Sequence, residues 1–215
     1  MTDKAIADFW FDPSCPYTWL TSRWLLEVEK VRPVEVRWHL MSLSVLNEGR
    51  DDDPEGDSEG YLWVPVRVCA AVLERYGQEA LARFYTAMWT AGRGRGQEWP
   101  ESLHDALAAA GLPRELAEAG ASTAHDEAVR ASHAEGLGLI GGDHVGTPVV
   151  AVTGTGGERV AFFGPVISEV PVGEGAGRLW DGTLLVAGTP AFHELKGQPP
   201  AAPRLDPPAP AAGPE

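Results

Sequence analysis

Two cysteines occur in this chain of 215 residues, and only one of them stands in a setting that activates sulfur. Cys15 lies in Asp12-Pro13-Ser14-Cys15-Pro16-Tyr17-Thr18-Trp19, between an apolar run, Ile6 to Phe11, and a helical pattern. Pro16 suits the first turn of a helix, where its missing N–H costs nothing and its fixed φ is already helical. The sulfur therefore falls at a helix N-terminus, where unpaired N–H groups and the helix dipole favour negative charge. A thiol so placed can have its pKa drawn down from about 8.5 into roughly the 3.5–7.5 range, which makes it nucleophilic near neutrality. Cys69 follows the commoner fate of a free cysteine, a small apolar residue on the core face of a helix.

The neighbours of Cys15 suggest supporting roles. The Thr18 hydroxyl can stabilise a thiolate by a hydrogen bond, or simply satisfy the helix backbone. Tyr17 is either part of a substrate wall or a surface aromatic. Asp12 is either a proton carrier or a turn and cap residue. Trp10, Trp19, Trp24 and Trp38 read as core. His39, His104, His125, His133, His144 and His193 lack the spacing of metal ligands, so no metal is expected. Asp51-Asp52-Asp53 carries carboxylates that diverge and repel, and reads as a solvated loop.

These residues need elements to hold them. Ile6 to Phe11 reads as a strand buried on both faces, and Pro16 to Lys30 as a helix with Leu20, Trp24 and Val28 on one side. Val34 to Leu40 alternates as a strand, and the handedness rule makes this opening unit a right-handed crossover between parallel strands. Leu62, Val66, Cys69, Leu73 and Tyr76 then mark one helix face, with Pro65 in its first turn. Further helical stretches are expected over Ala80–Ala91, Ser102–Ala110, Arg114–Ala119 and Thr123–Leu137. Strands return at Thr147–Val152 and Arg159–Phe163. The glycines between them lead into a strand rather than a helix, so they make a hairpin turn and not a phosphate cradle. A last helix lies within Ile167–Leu195, with Gly188 and Pro190 placed to break it. From Gly197 onward seven prolines among alanines offer little to bury, and disorder is expected there.

Composition narrows the function classes. Seventeen basic against 31 acidic residues give a net charge of −14, which repels nucleic acid and anionic membranes. Two cysteines are too few for a disulfide scaffold. The N-terminus shows no leader pattern, and no apolar run approaches the ~20 residues that span a bilayer. A single folding unit in the cytoplasm is the expectation, as monomer or homodimer.

Strand, cysteine-bearing helix, strand, helical insertion, hairpin and final helix resemble the thioredoxin-like α/β fold in its DsbA-type form, with a large helical insertion. Residues 1–40 and 140–196 correspond to the thioredoxin-like domain, 41–139 to the helical lobe, and 197–215 to the tail. Val145-Gly146-Thr147-Pro148 resembles the cis-proline loop of that fold. Ala7 to Pro13, Thr21 to Val28, Met41-Ser42-Leu43, Leu46-Asn47-Glu48 and Phe162 to Val166 are similar to the mycothiol-dependent reductase and nitroreductase group within it.

That resemblance implies a catalytic set of Cys15, Thr18 and Pro148, with Pro16, Tyr17, Thr147 and Asn47 around the bound thiol or substrate. It implies no tightly bound cofactor. The co-substrate would be a low-molecular-weight thiol, mycothiol or a similar one, and the partner a disulfide or an electrophile. The group typically has Cys-Pro-Trp-Cys, whereas this chain has Cys-Pro-Tyr-Thr, so an external thiol must replace the resolving cysteine. Two other readings stay open. Kappa-class glutathione transferases and related isomerases carry Ser-Pro-Tyr-Ser-like turns that activate a bound thiol. A non-catalytic thiol-binding or redox-sensing module is the other reading; Arg93 and Arg95 then either help to hold an anionic ligand or, more in keeping with their glycine-rich stretch, lie on a solvated loop.

Overall fold

The computed structural model describes residues 4–50, 54–57, 59–92, 99–142 and 145–205. Strand β1 (Ala5–Phe11) leads through a tight turn into helix α1 (Pro16–Val31), and β2 (Val34–Leu40) follows. After a single-turn helix α2 (Leu43–Leu46) come α3 (Trp63–Ala87), a π-helical turn at Met88–Gly92 and α4 (Trp99–Ala109). Two 3-10 segments, Arg114–Ala121 and Thr123–His125, precede α5 (Asp126–Leu139). The chain closes with strands β3 (Val149–Thr153) and β4 (Arg159–Phe163) and helix α6 (Glu174–Ala187).

The four strands form one sheet in the order β2-β1-β3-β4. Phe9, Trp10 and Phe11 of the inner strand β1 have no exposed surface, as an apolar run covered on both faces requires. Strands β3 and β4 pair antiparallel, from Val149 opposite Phe163 to Thr153 opposite Arg159. Gly154 N–H donates to Glu158 O at 2.8 Å and closes the hairpin, so the glycine-rich stretch is the turn that its flanking strands imply.

The chain divides into two compact units, one of residues 1–9, 15–37 and 148–215, the other of residues 10–14 and 38–147. In the first, α1 packs on α6. The rings of Trp24 and Trp180 lie 5.8 Å apart, and Trp24 Nε1 donates to Ala176 O at 3.1 Å. Arg32, just past the end of α1, pairs with both Glu174 and Asp181 at 2.7 Å.

The second unit is mainly helical. Gly77, at φ +78°, divides α3 into two helices, a conformation that glycine adopts without a Cβ penalty. The two expected stretches on either side of it are therefore two helices that meet at this kink. Arg114–Ala121 is 3-10 rather than α-helical, as short segments between glycine and proline breaks often are. Val66, Cys69, Val72, Leu81, Phe84, Leu103 and Leu107 are buried and make its core. Among the described residues no helix is long and apolar enough to cross a membrane.

Candidate active site

The turn after β1 carries the sulfur. Cys15 is the N-cap of α1, with Pro16 at the first helical position, and Cys15 O accepts the first helical bond from Trp19 N–H at 3.0 Å. Its side chain caps nothing, is half-buried, and takes part in no disulfide. The helix start places Cys15 beside the positive end of the α1 dipole, which favours negative charge. Cys69 differs in every respect. It is fully buried, its sulfur lies 3.9 Å from Met88 Sδ, and burial together with the Asp12 carboxylate holds its thiol well above the ordinary value.

Asp12 organises the turn from below. It is fully buried; Oδ1 accepts from Ser14 N–H at 2.6 Å and Oδ2 from Leu43 N–H at 2.7 Å. Its own N–H donates to Thr147 Oγ1 at 3.2 Å. Burial pushes its carboxyl up to about 7, and the charge of Glu55 adds to that; the two backbone N–H donors, which prefer the anion, oppose it. Trp89 Nε1 donates to Pro13 O at 3.1 Å and fixes the next residue of the turn. The buried Ser14 hydroxyl also favours the Asp12 anion, by a smaller amount.

The other sequence candidates fall as follows. Thr18 is fully buried in the first turn of α1. Tyr17 is half-buried, and its hydroxyl donates to Ala201 O at 3.2 Å. Thr147 is buried and is held by the Asp12 bond. Pro148 is buried at the start of β3, where its O accepts from Gly164 N–H at 2.9 Å. Asn47 is the C-cap of α2, and its side-chain amide pairs with Glu55. Among the described residues the cis peptide bond is Gly164–Pro165, not Thr147–Pro148 as the resemblance implies. An X-Pro step entering a strand needs only the extended backbone that residues before proline already prefer.

Sequence reasoning left Asp12 between two roles and gave no role to His133 or Trp89. His133 Nδ1 accepts from Ser42 N–H at 3.3 Å, and burial first, then Arg130, push its imidazole down to about 4. The signal for this cluster was the Met41-Ser42-Leu43 stretch, whose backbone N–H groups Asp12 and His133 engage one after the other. Among the described residues no group of histidine, cysteine and carboxylate side chains could hold a metal ion. Asp51 to Asp53, Arg93, Arg95 and His144 lie outside the described residues.

The sequence over residues 14–197 matches the Rv2466c-like family, described as mycothiol-dependent nitroreductase Rv2466c. The chain belongs to this family. It is 30% identical over 197 residues to the Mycobacterium tuberculosis (strain H37Rv) protein described as "Uncharacterized protein Rv2286c", covering 88% of this chain and 80% of that one. Its fold is similar to a probable DsbA oxidoreductase, SCO1869, from Streptomyces coelicolor, at a TM-score of 0.53 and 17% identity over 90% of this chain and 100% of that one. Chlamydia trachomatis DsbA superposes at a TM-score of 0.51 with 14% identity, over 87% and 90% of the two chains. The expected DsbA-type thioredoxin-like fold is thus present, in a member of an oxidoreductase family.

Proposed function

We propose that the protein is a monothiol oxidoreductase in which Cys15 exchanges with disulfides of a low-molecular-weight thiol, mycothiol being the first choice. The observation that carries this reading is the contrast between the two cysteines. Cys15 is the N-cap residue of a helix and is half-buried, while Cys69 is fully buried with its thiol pushed away from ionisation.

The cycle has two exchanges. The Cys15 thiolate attacks one sulfur of a mixed disulfide; the S–S bond breaks, a new one forms to Cys15, and the other sulfur leaves as a thiolate that takes up a proton. A second small thiol then attacks the mixed disulfide on Cys15. It restores the Cys15 thiol and leaves as part of a new small disulfide. The net reaction consumes one mixed disulfide and one small thiol and yields one released thiol and one new small disulfide, so atoms and electrons balance without a second protein cysteine. Thr18 stands where a resolving cysteine would stand in the Cys-Pro-Trp-Cys pattern. For a nitro compound, the electrophile in the family description, every two-electron step consumes two such thiols.

Thr18 and Pro148 are assigned to the sulfur and the thiol beside it, and Pro16 and Tyr17, in the same compact unit, to its surroundings. A cytoplasmic thiol pool suits this chemistry. The test is stoichiometric turnover of mycothiol disulfide mixed with a reporter thiol: Cys15→Ala abolishes it and Cys69→Ala preserves it. Retention of turnover in Cys15→Ser would instead favour a transferase that activates a bound thiol.

A further inference from the structure

From Gly188 to Leu205 the chain forms no helix or strand, yet it is tied to α1 and to the segment after β4. Ala191 takes φ +62°, the left-handed region that disfavours residues with a Cβ, in a turn where Phe192 N–H donates to Thr189 O at 3.2 Å. Ten residues later, Ala201 O accepts from Tyr17 OH at 3.2 Å and from Ser168 Oγ at 2.8 Å. Arg204 N–H donates to Ser168 O at 2.9 Å, and its guanidinium pairs with Glu169 at 2.8 Å. Pro203, between these anchors, is half-buried while its neighbours are exposed. Pro199, Pro200 and Pro203 stiffen the segment, which lowers the entropy lost on docking.

Tyr17 is two residues beyond Cys15, in the same first turn of α1. An extended peptide docks on such a surface by main-chain hydrogen bonds, and Ser168 O and the Tyr17 hydroxyl are already engaged by the tail. A small disulfide needs only access to the sulfur.

We propose that residues 199–204 are a specificity strap that holds Tyr17 and Ser168, denies an extended protein substrate the ground beside Cys15, and reserves the thiol for small disulfides. This rests on the reading of Cys15 as a thiol exchanger. The strap explains why a proline-rich tail, which composition alone marks for disorder, carries anchors at both Ala201 and Arg204.

The test compares alkylation of Cys15 by iodoacetamide and by a maleimide carrying a long polyethylene glycol chain, with the modified residue located by peptide mass. Three forms are used: the full chain, a chain ending at Lys196, and a full chain with Ser168→Ala and Arg204→Ala. The bulky-to-small rate ratio should rise about tenfold on truncation, the change in open population that a few net hydrogen bonds hold back. The double variant should move the same way by less. A reactive Cys15 whose ratio is equal in all three forms overturns the strap alone. A Cys15 that resists iodoacetamide in every form overturns the strap and the thiol-exchange reading together.

Discussion

Asp12 and Thr147 are 135 positions apart in the chain and share a buried hydrogen bond, Asp12 N–H to Thr147 Oγ1 at 3.2 Å. The same aspartate binds Ser14 N–H, next to Cys15, and Leu43 N–H. One buried residue thus fixes the turn before the sulfur, the start of α2 and the residue preceding Pro148.

Thr147→Val keeps the shape and removes the acceptor, so a buried N–H loses this partner. The expected cost is about 1–3 kcal/mol in unfolding free energy, and Thr147→Ser should recover most of it. Urea titration of the three forms checks this. Equal midpoints would show that the bond adds nothing.

Between about pH 5 and about pH 7 two buried groups pull stability in opposite directions. Asp12, ordinarily at 3.8, is held near 7 in the fold, so the folded protein keeps a proton that the unfolded chain has released. Its contribution falls as pH rises through this window. His133, ordinarily at 6.5, is pushed to about 4, so the unfolded chain takes up a proton that the fold refuses. Its contribution is lost as pH drops below 6.5. Asp12→Asn removes the first effect and leaves the second, at the constant cost of a misdirected amide. Stability of the variant should therefore climb with pH more steeply than that of the parent. Parallel slopes in urea titrations at the two pH values would contradict the burial argument.

Much of this was legible locally. Pro16 after Cys15 marked the helix start, alternation marked β2, and the apolar spacing of Leu62 to Tyr76 placed Cys69 in the core. What sequence could not show was long-range. The bonds from Asp12 to Thr147 and from Tyr17 to Ala201 join residues 135 and 184 positions apart and leave no periodic trace. The cis bond followed the same rule, since Thr147–Pro148 and Gly164–Pro165 both read as X-Pro steps beside a strand. Proline content spoke for a loose tail, yet two anchors in residues 201–204 were invisible until the fold brought Ser168 and Tyr17 beside them.

Gly136 in α5 lies against Trp10, where an added Cβ would come within 2.8 Å of the indole ring. Glycine to alanine in a helix normally gains about 1 kcal/mol. Here Trp10 has no exposed surface and no room to retreat, so Gly136→Ala should destabilise by a net of about 1–2 kcal/mol. Thermal unfolding of the two forms decides; a higher midpoint in the variant would show that the ring can move.

Thr18→Cys tests the missing partner. The side chain is buried three residues after Cys15, and a thiol fits the volume of the threonine. Oxidised with a small disulfide, the variant should eject the small thiol and lose two hydrogens to an internal disulfide, whereas the parent keeps its adduct. Persistence of the adduct in Thr18→Cys would mean that position 18 cannot reach the sulfur.

In the proposed cycle Cys15 alone exchanges with small disulfides. The direct measurement incubates the reduced protein with the disulfides of mycothiol and of glutathione and maps adducts by intact and peptide mass. A single adduct at Cys15, faster with mycothiol and released by excess thiol, is the predicted result. No adduct at Cys15 from about pH 6 to about pH 9, with Cys69 equally inert, would contradict it.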